Sequence, residues 1–155
     1  MRKLNRYVVV FCVAIALSAC TPQTEKFLGN NDKLATQVGV REGGIIKANS
    51  QPGFLVYGPY VPLEPGVYRL VAKGNLSGPC MALGFIDVVA DKGQRILAVK
   101  PIVAGQSAAG DIVSLAFEVT QPVTDIEFRI NISAQTTGSF AVYELTKVAK
   151  IVNKE

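Results

Sequence analysis

The sequence predicts an all-β protein, an antiparallel two-sheet β-sandwich that follows an N-terminal signal helix. Three observations support this fold class. Apolar and polar residues alternate with a period of two from residue 34 onward, helical spacing is almost absent there, and Gly, Pro and Asp interrupt the pattern at short intervals. Such alternation is typical of strands with one buried face, and many short strands separated by turns favour a sandwich.

The first twenty residues have the character of a bacterial export signal. Residues 1–6 carry three basic side chains, and the apolar run at 7–17 is shorter than the roughly 20 residues that a membrane-spanning helix needs. The sequence Leu17-Ser18-Ala19-Cys20 follows and resembles the lipobox of bacterial lipoproteins. The resemblance implies cleavage before Cys20, a diacylglycerol on its sulfur and attachment to a lipid bilayer. The alternatives are an uncleaved anchor and a chance cysteine in an apolar run.

This resemblance also divides the chain. We expect a signal peptide at 1–19, the lipidated cysteine and a flexible tether at 20–33, a β-sandwich at 34–148 and a tail at 149–155. The tether is predicted because residues 21–33 are polar and rich in turn-forming residues. Among bacterial lipoproteins an Asp directly after the cysteine tends to retain the protein in the inner membrane. Thr21 occupies that place here, so for a cell with two membranes the resemblance implies the outer membrane of the cell envelope.

The composition excludes several classes of function. The chain of 155 residues has 16 basic and 12 acidic side chains, and removal of residues 1–19 leaves 13 against 12. This balance provides no basic surface for nucleic acid. Histidine is absent, which removes the commonest general base, His-dependent triads and His-containing zinc sites. We therefore expect no metal, no cofactor and no enzymatic activity; a glycan-active enzyme with two catalytic carboxylates is the alternative left open.

Cysteine usage predicts that stability comes from the core. Cys12 leaves with the signal and Cys20 is lipidated on this interpretation, so Cys80 has no partner for an intramolecular disulfide. A reactive thiol needs an activating neighbour, and the chain has no histidine to provide one. We expect Cys80 to be buried or simply tolerated.

Eight segments have the periodicity or composition of strands. They span residues 38–47, 53–57, 67–73, 82–90, 94–100, 113–119, 126–133 and 139–148. In the clearest one, Phe128 and Ile130 alternate with Glu127 and Arg129, which predicts one face in the core and the other in water. Phe117 has an equivalent place in the preceding segment. We expect these two strands to be antiparallel neighbours, with all three apolar residues in the core.

Asp87 interrupts an apolar run that is typical of a central strand covered on both faces. A carboxylate in that position needs a partner to offset its desolvation. The available cationic partners are Arg69, Arg95 and Arg129. Asp87 is then a structural ion pair, an acceptor for a sugar hydroxyl or, with Asp91, a calcium ligand, although no metal-loop spacing accompanies it.

A second resemblance covers residues 53–145. The segment 57–70, YGPYVPLEPGVYRL, together with 86–91, 94–98 and 126–130, is similar to jelly-roll modules of the carbohydrate-binding type. Such modules occur in bacterial proteins of surface-polysaccharide metabolism. The resemblance implies a jelly-roll sandwich that binds a glycan without catalysis.

The same resemblance implies candidate site residues. Sugar rings stack on aromatic faces, and because Trp is absent, tyrosines would have to provide that surface. The predicted stacking residues are Tyr57 and Tyr60, and the predicted hydroxyl partners are Asp87, Arg95 and Arg129. Tyr68 and Tyr143 are the other tyrosines available after residue 20. The alternative for each tyrosine is a place in the core or at its rim.

Two functional hypotheses follow from these observations. The first is an envelope lipoprotein whose sandwich binds a polysaccharide. The second is a structural or accessory lipoprotein whose exposed sheet or edge contacts another envelope protein.

Overall fold

The computed structural model describes residues 22–150. The predicted signal peptide, its helix and Cys20 lie outside this range, as does the chain from residue 151. Within residues 22–150 the chain forms strands and no helix, and hence no helix there could cross a membrane. The ten strands are β1 Thr24–Leu28, β2 Gly39–Glu42, β3 Ile45–Ala48, β4 Gly53–Leu63, β5 Gly66–Ser77, β6 Ala82–Ala90, β7 Arg95–Val103, β8 Asp111–Val119, β9 Val123–Ile132 and β10 Thr137–Ala149.

The strands form two antiparallel sheets. The first sheet has the order β2-β3-β10-β5-β8, with β1 also pairing with β10, and the second has the order β4-β9-β6-β7. From β3 onward, every connection except the β6–β7 hairpin crosses from one sheet to the other. This alternation is the jelly-roll arrangement. The predicted all-β, two-sheet sandwich is confirmed.

The strand directions give the sandwich two distinct ends. At the proximal end, where the described chain begins, lie residues 22–23 and the turns 64–65, 91–94 and 120–122. At the distal end lie the connections 49–52, 78–81, 104–110 and 133–136.

Aromatic rings fill the middle of the core. Phe128, Phe140 and Tyr143 are the largest fully buried side chains, and the Tyr143 ring lies 5.5 Å from Phe128 and 4.6 Å from Phe140. Phe117 packs 6.3 Å from Phe128. Phe117, Phe128 and Ile130 are all buried, as predicted. Burial also raises the pKa of the Tyr143 phenol well above its usual value.

The predicted tether is wrong for residues 24–28. These residues form β1, which pairs with β10 from Thr24 opposite Thr146 to Leu28 opposite Val142. Phe27 is buried against the core, with its ring 6.2 Å from Phe128. The sandwich therefore begins well before residue 34. One apolar anchor, Phe27, and the backbone pairing with β10 are sufficient to hold β1 as an edge strand.

Three further expectations need correction. The two strands expected to be antiparallel neighbours, β8 and β9, lie in different sheets, so they contribute to opposite sides of the core instead of pairing with each other. The segment 38–47 forms two short strands, β2 and β3, joined at Gly43 and Gly44, which both have positive φ. Cys80 lies exposed in the β5–β6 connection, so of the two expected alternatives, buried or tolerated, the buried one is wrong.

Candidate functional site

The outer face of the second sheet brings four of the five predicted binding residues together. In the register of three neighbouring strands, Tyr57 on β4 is opposite Arg129 on β9, and Arg129 is opposite Asp87 on β6. The neighbours of Asp87 on β6, Ile86 and Val88, belong to the core between the sheets. Because side chains alternate along a strand, the row that contains Asp87 points away from the core.

Asp87 and Arg129 form a bidentate ion pair. Arg129 donates from Nε to Oδ1 at 2.9 Å and from Nη2 to Oδ2 at 2.5 Å. Asp87 is 3% exposed, whereas the Arg129 side chain keeps about a fifth of its surface. The hydrogen bonds to Asp87 raise the pKa of Arg129 against the opposing effect of its burial. Of the three arginines considered from the sequence as partners of Asp87, Arg129 is the one that pairs with it.

An aromatic ring on β4 contacts the guanidinium of Arg129. The Cζ atom of Arg129 lies 5.3 Å from the centre of the Phe54 ring, a cation–π distance. The Phe54 ring in turn meets Tyr57 edge-on, with the ring centres 6.1 Å apart. Both rings are partly buried. The plane of the guanidinium is thus fixed by an ion pair and by an aromatic neighbour.

Tyr60 reaches the same face through a distortion of β4. The register with β9 shifts between Pro59 and Val61, so Tyr60 is an extra residue in a bulge, and its φ is 59°. Bulges re-aim side chains, and a positive φ is uncommon for a residue with a Cβ. The Tyr60 phenol donates a hydrogen bond to Oε1 of Glu127 at 3.0 Å. Tyr60 as a whole residue is 49% exposed.

The electrostatics of Tyr60 follow from this setting. Two main causes raise the pKa of Tyr60 from 10.0 to about 12. Partial burial has the largest effect, and the hydrogen bond to the Glu127 carboxylate has the next largest. The phenol therefore remains a donor through the physiological range. Glu127 itself is only 8% exposed, although its place in the alternating pattern predicted a residue in water.

The local fold of β4 depends on Gly58. Its φ is +120°, and a Cβ built there would collide with the carbonyl of Lys33, because residues 33–35 run along the outer edge of β4. Ala35 and Tyr57 exchange two backbone hydrogen bonds, of 2.8 and 3.0 Å. This segment covers the edge strand next to the site.

Arg95, Tyr68 and Tyr143 lie apart from this surface. Arg95 is opposite the core residue Ala90 in the register and donates to Asp91 at 2.8 Å, in the β6–β7 hairpin. Tyr68 is buried, stacks on Phe117 and donates to the Glu64 carbonyl. Tyr68 and Tyr143 are therefore core residues, and the idea that they offer a stacking surface is wrong.

Two residues of the surface were missed by the sequence reasoning, namely Phe54 and Glu127. Glu127 had one usable signal, because it is two residues before Arg129 on a clearly alternating strand and so shares its face. Phe54 had none, because its contact with Arg129 depends on the pairing of β4 with β9. We call Phe54, Tyr57, Tyr60, Asp87, Glu127 and Arg129 the outer cluster.

The described residues do not favour a metal site. Within residues 22–150 no three His, Cys, Asp or Glu side chains converge in an arrangement that could hold an ion. The two carboxylates considered for calcium, Asp87 and Asp91, accept hydrogen bonds from Arg129 and Arg95 respectively.

A groove of about 960 Å³ lies away from the outer cluster, at the proximal end between Leu63, Tyr68 and Leu145.

Comparison with known proteins bears on the fold. No protein-family model and no curated protein matches the chain. Among solved structures, the chain is similar to the C-terminal CBM6 of LamC, a marine laminarinase from Zobellia galactanivorans, with a TM-score of 0.54 and 12% identity over 81% of this chain and 100% of that one. A carbohydrate-binding module of Cellvibrio mixtus lichenase 5A, solved with cellotriose, overlaps more loosely, with a TM-score of 0.46 and 9% identity over 83% and 91% of the two chains. The first likeness identifies the fold as that of a carbohydrate-binding-type β-sandwich.

Proposed function

We propose that this protein is a lipid-anchored envelope lipoprotein whose non-catalytic β-sandwich binds a glycan on the outer cluster. The observation that supports glycan binding best is the juxtaposition of a half-exposed Tyr60 ring with the fixed, partly exposed guanidinium of Arg129. The similarity of the fold to carbohydrate-binding modules agrees with this proposal.

The chemistry of the outer cluster suits a sugar. The C–H faces of a pyranose ring pack on an aromatic ring, and its edge hydroxyls need directional polar partners. Tyr60 and Tyr57 offer the aromatic surface. Within the described chain the Arg129 guanidinium keeps a free Nη1 donor, and the Tyr60 hydroxyl, whose one proton goes to Glu127, can accept from a sugar hydroxyl. Both groups have a fixed geometry, since the side chains that hold them, Asp87 and Glu127, are themselves buried.

The same contacts favour binding over catalysis. The two carboxylates of the outer cluster are already engaged, Asp87 by Arg129 and Glu127 by Tyr60. Glycoside hydrolysis needs one protonated acid and one free carboxylate on opposite sides of the bond. Neither carboxylate is available for these roles without breaking its contact.

Glycan binding is tested with a glycan array and titrations on the soluble domain that starts at Thr21. A stacked ring contributes about 0.5 to 1.5 kcal/mol beyond its buried area, so Tyr60→Ala and Tyr57→Ala should each weaken binding several-fold. The matched control is Met81→Ala, which removes a side chain that is 70% exposed at the distal end. If no envelope polysaccharide binds, or if the double tyrosine variant binds as well as wild type, glycan binding on this surface is rejected.

Lipidation is tested by metabolic labelling with palmitate. Cys20→Ser should remain an unprocessed precursor without label, because the lipobox resemblance places the acylated sulfur there. Cys80→Ser is the control, since Cys80 is an exposed cysteine outside that motif. Undiminished labelling of the Cys20 variant would reject the anchor.

One observation favours the accessory-protein alternative. Strand β7 is an edge strand of the second sheet, and it carries two apolar side chains, Ile96 and Val99, that are each 62% exposed. Exposed edges with apolar side chains are suited to contact another protein. Pull-down from envelope extracts separates the two candidates: a partner lost in Ile96→Lys/Val99→Lys but kept in Tyr57→Ala/Tyr60→Ala would support the accessory role.

A further inference from the structure

We infer that the proximal end of the sandwich faces the lipid headgroups at close range, so that the protein stands on the membrane by this end. The inference rests on the proposed lipidation of Cys20. It concerns how the domain is held on the bilayer and which end the bilayer contacts.

The first step is the attachment of β1 to the sandwich. Five consecutive residues of β1 pair with β10. Thr24 and Thr146 share a hydrogen bond of 2.8 Å between their hydroxyls, and Lys26 forms an ion pair of 2.8 Å with Glu144. Hydrogen bonding from Lys26 lowers the pKa of Glu144 and keeps this pair charged at neutral pH. With Phe27 buried as well, β1 is attached to the sandwich from its first residue, Thr24.

The second step is the reach of the remaining link. Four residue steps separate Cys20 from Thr24. An extended chain covers at most about 3.6 Å per residue, so these two residues can be no more than about 14 Å apart in any conformation. Pro22 restricts the link further, because its ring fixes φ. A diacylated cysteine therefore holds the start of β1 beside the headgroups.

The third step is the direction of the strands. β1 begins at the proximal end and runs away from it, alongside the last residues of β10. Strand β5 runs from the proximal to the distal end with 12 residues, so the two ends are about 40 Å apart. The turn Thr120–Pro122 at the proximal end is exposed and uncharged, whereas the other two proximal turns carry the exposed Glu64, Asp91 and Lys92, whose charges stay hydrated at the level of the headgroups. Cys80, in contrast, lies in a distal connection.

The orientation brings part of the outer cluster close to the membrane. Tyr60 is three residues before the end of β4 at Leu63, which corresponds to about 10 Å along the strand. Tyr60 is therefore in the proximal part of the sandwich. The surface that we propose for glycan binding thus lies towards the bilayer end of the domain.

Fluorescence quenching in vesicles tests this orientation with the full lipidated chain. One sample carries a small fluorophore on the native Cys80, and the other carries it on Gln121→Cys in a Cys80→Ser background. Both are reconstituted into phosphatidylcholine vesicles that contain a headgroup spin-labelled lipid. We expect quenching several-fold stronger at position 121 than at position 80. Equal quenching at the two positions, or stronger quenching at position 80, overturns the inference.

A lengthened link provides the matched control. A Gly-Ser insertion of about twelve residues between Thr21 and Pro22 has a flexible span of roughly 20 Å. It should leave vesicle flotation unchanged and reduce the quenching at position 121 towards that at position 80. Undiminished quenching in this variant would show that the link does not set the orientation. Loss of flotation in the parent protein would instead reject the lipid anchor, and with it the orientation that depends on it.

Discussion

At the centre of strand β6 the two faces of the second sheet are both buried, but by different kinds of contact. On β6, Ile86 and Val88 point inward and pack against the first sheet, whereas Asp87 between them points outward and is just as inaccessible. The inner face excludes water through apolar contacts without directional requirements. The outer face does so through an ion pair and aromatic rings whose partners are specific. We conclude that the inner face contributes stability and that the outer face fixes the positions of particular polar groups.

Truncation of an inner residue should have the largest effect on stability. Phe128 is fully buried, and three other aromatic rings lie around it. Phe128→Ala should lower the free energy of unfolding by about 3 to 5 kcal/mol, because the lost contacts leave a cavity. Urea denaturation of the domain from Thr21 measures this change. A change below about 1 kcal/mol would contradict the central place of this ring.

Removal of the outer cation should come next. Arg129→Met leaves Asp87 buried without its partner and should cost about 3 kcal/mol, at the lower end of the range for buried pairs because Arg129 is partly exposed. The double variant Asp87→Leu/Arg129→Met should regain most of this loss, because no buried charge remains. The same denaturation experiment checks both. If the double variant is as unstable as the single one, the outer ion pair contributes stability of its own and the contrast between the faces is weaker than we describe.

A smaller effect is expected for the Tyr60 hydroxyl. Tyr60→Phe keeps the ring but deprives the buried Glu127 of a hydrogen bond, which should cost about 1 kcal/mol. Tyr57→Phe is the matched control, because its hydroxyl has no hydrogen-bond partner in the described part of the chain and its loss should be nearly neutral. Equal losses in the two variants would indicate that Glu127 does not depend on Tyr60.

A further effect, confined to alkaline solution, is a contribution of Tyr60 to the dependence of stability on pH. The pKa of Tyr60 is about 12 in the folded protein against an ordinary value of 10.0, so the fold retains the phenolic proton more tightly than the unfolded chain does. This contribution is fully present below pH 10.0 and is lost as the pH rises from there towards 12. Absorbance titration of tyrosinate, as the difference between wild type and Tyr60→Phe, should locate this pKa. Glu127→Gln should move it downward, and an unchanged value would exclude Glu127 as a cause.

The inner face was the predictable part of the fold. Strands β8 and β9 alternate cleanly because the apolar side chains of each pack against the opposite sheet, and that requirement is visible in a single segment. Strand β1 was missed because it has one apolar anchor, Phe27, and is otherwise stabilised by its pairing with a strand more than a hundred residues away. A pairing of that kind leaves no periodic trace in the segment itself.

Four residues of the outer cluster were named from the sequence, but their arrangement was not predictable. A carboxylate inside an apolar run predicts a cationic partner, and the sequence placed Arg129 among three possibilities. The choice of Arg129 depends on the register between β6 and β9, and the contact of Tyr60 with Glu127 spans 67 residues and requires a bulge. These features arise from pairing between distant segments, which local spacing does not encode. Whether Tyr57, Tyr60, Asp87, Arg95 or Arg129 contacts a ligand stays a prediction.

The pairing of β1 with β10 also has a mechanical consequence. The hydrogen bonds of an antiparallel pair lie across the strands, so a force applied to the chain at Thr24 along the axis of β1 acts on all five pairs at once. A force applied across the strand would instead separate the pairs one after another. A pull transmitted to the domain from its N-terminal side along β1 therefore meets the shared resistance of the whole strand, and the load passes to β10 in the middle of the first sheet.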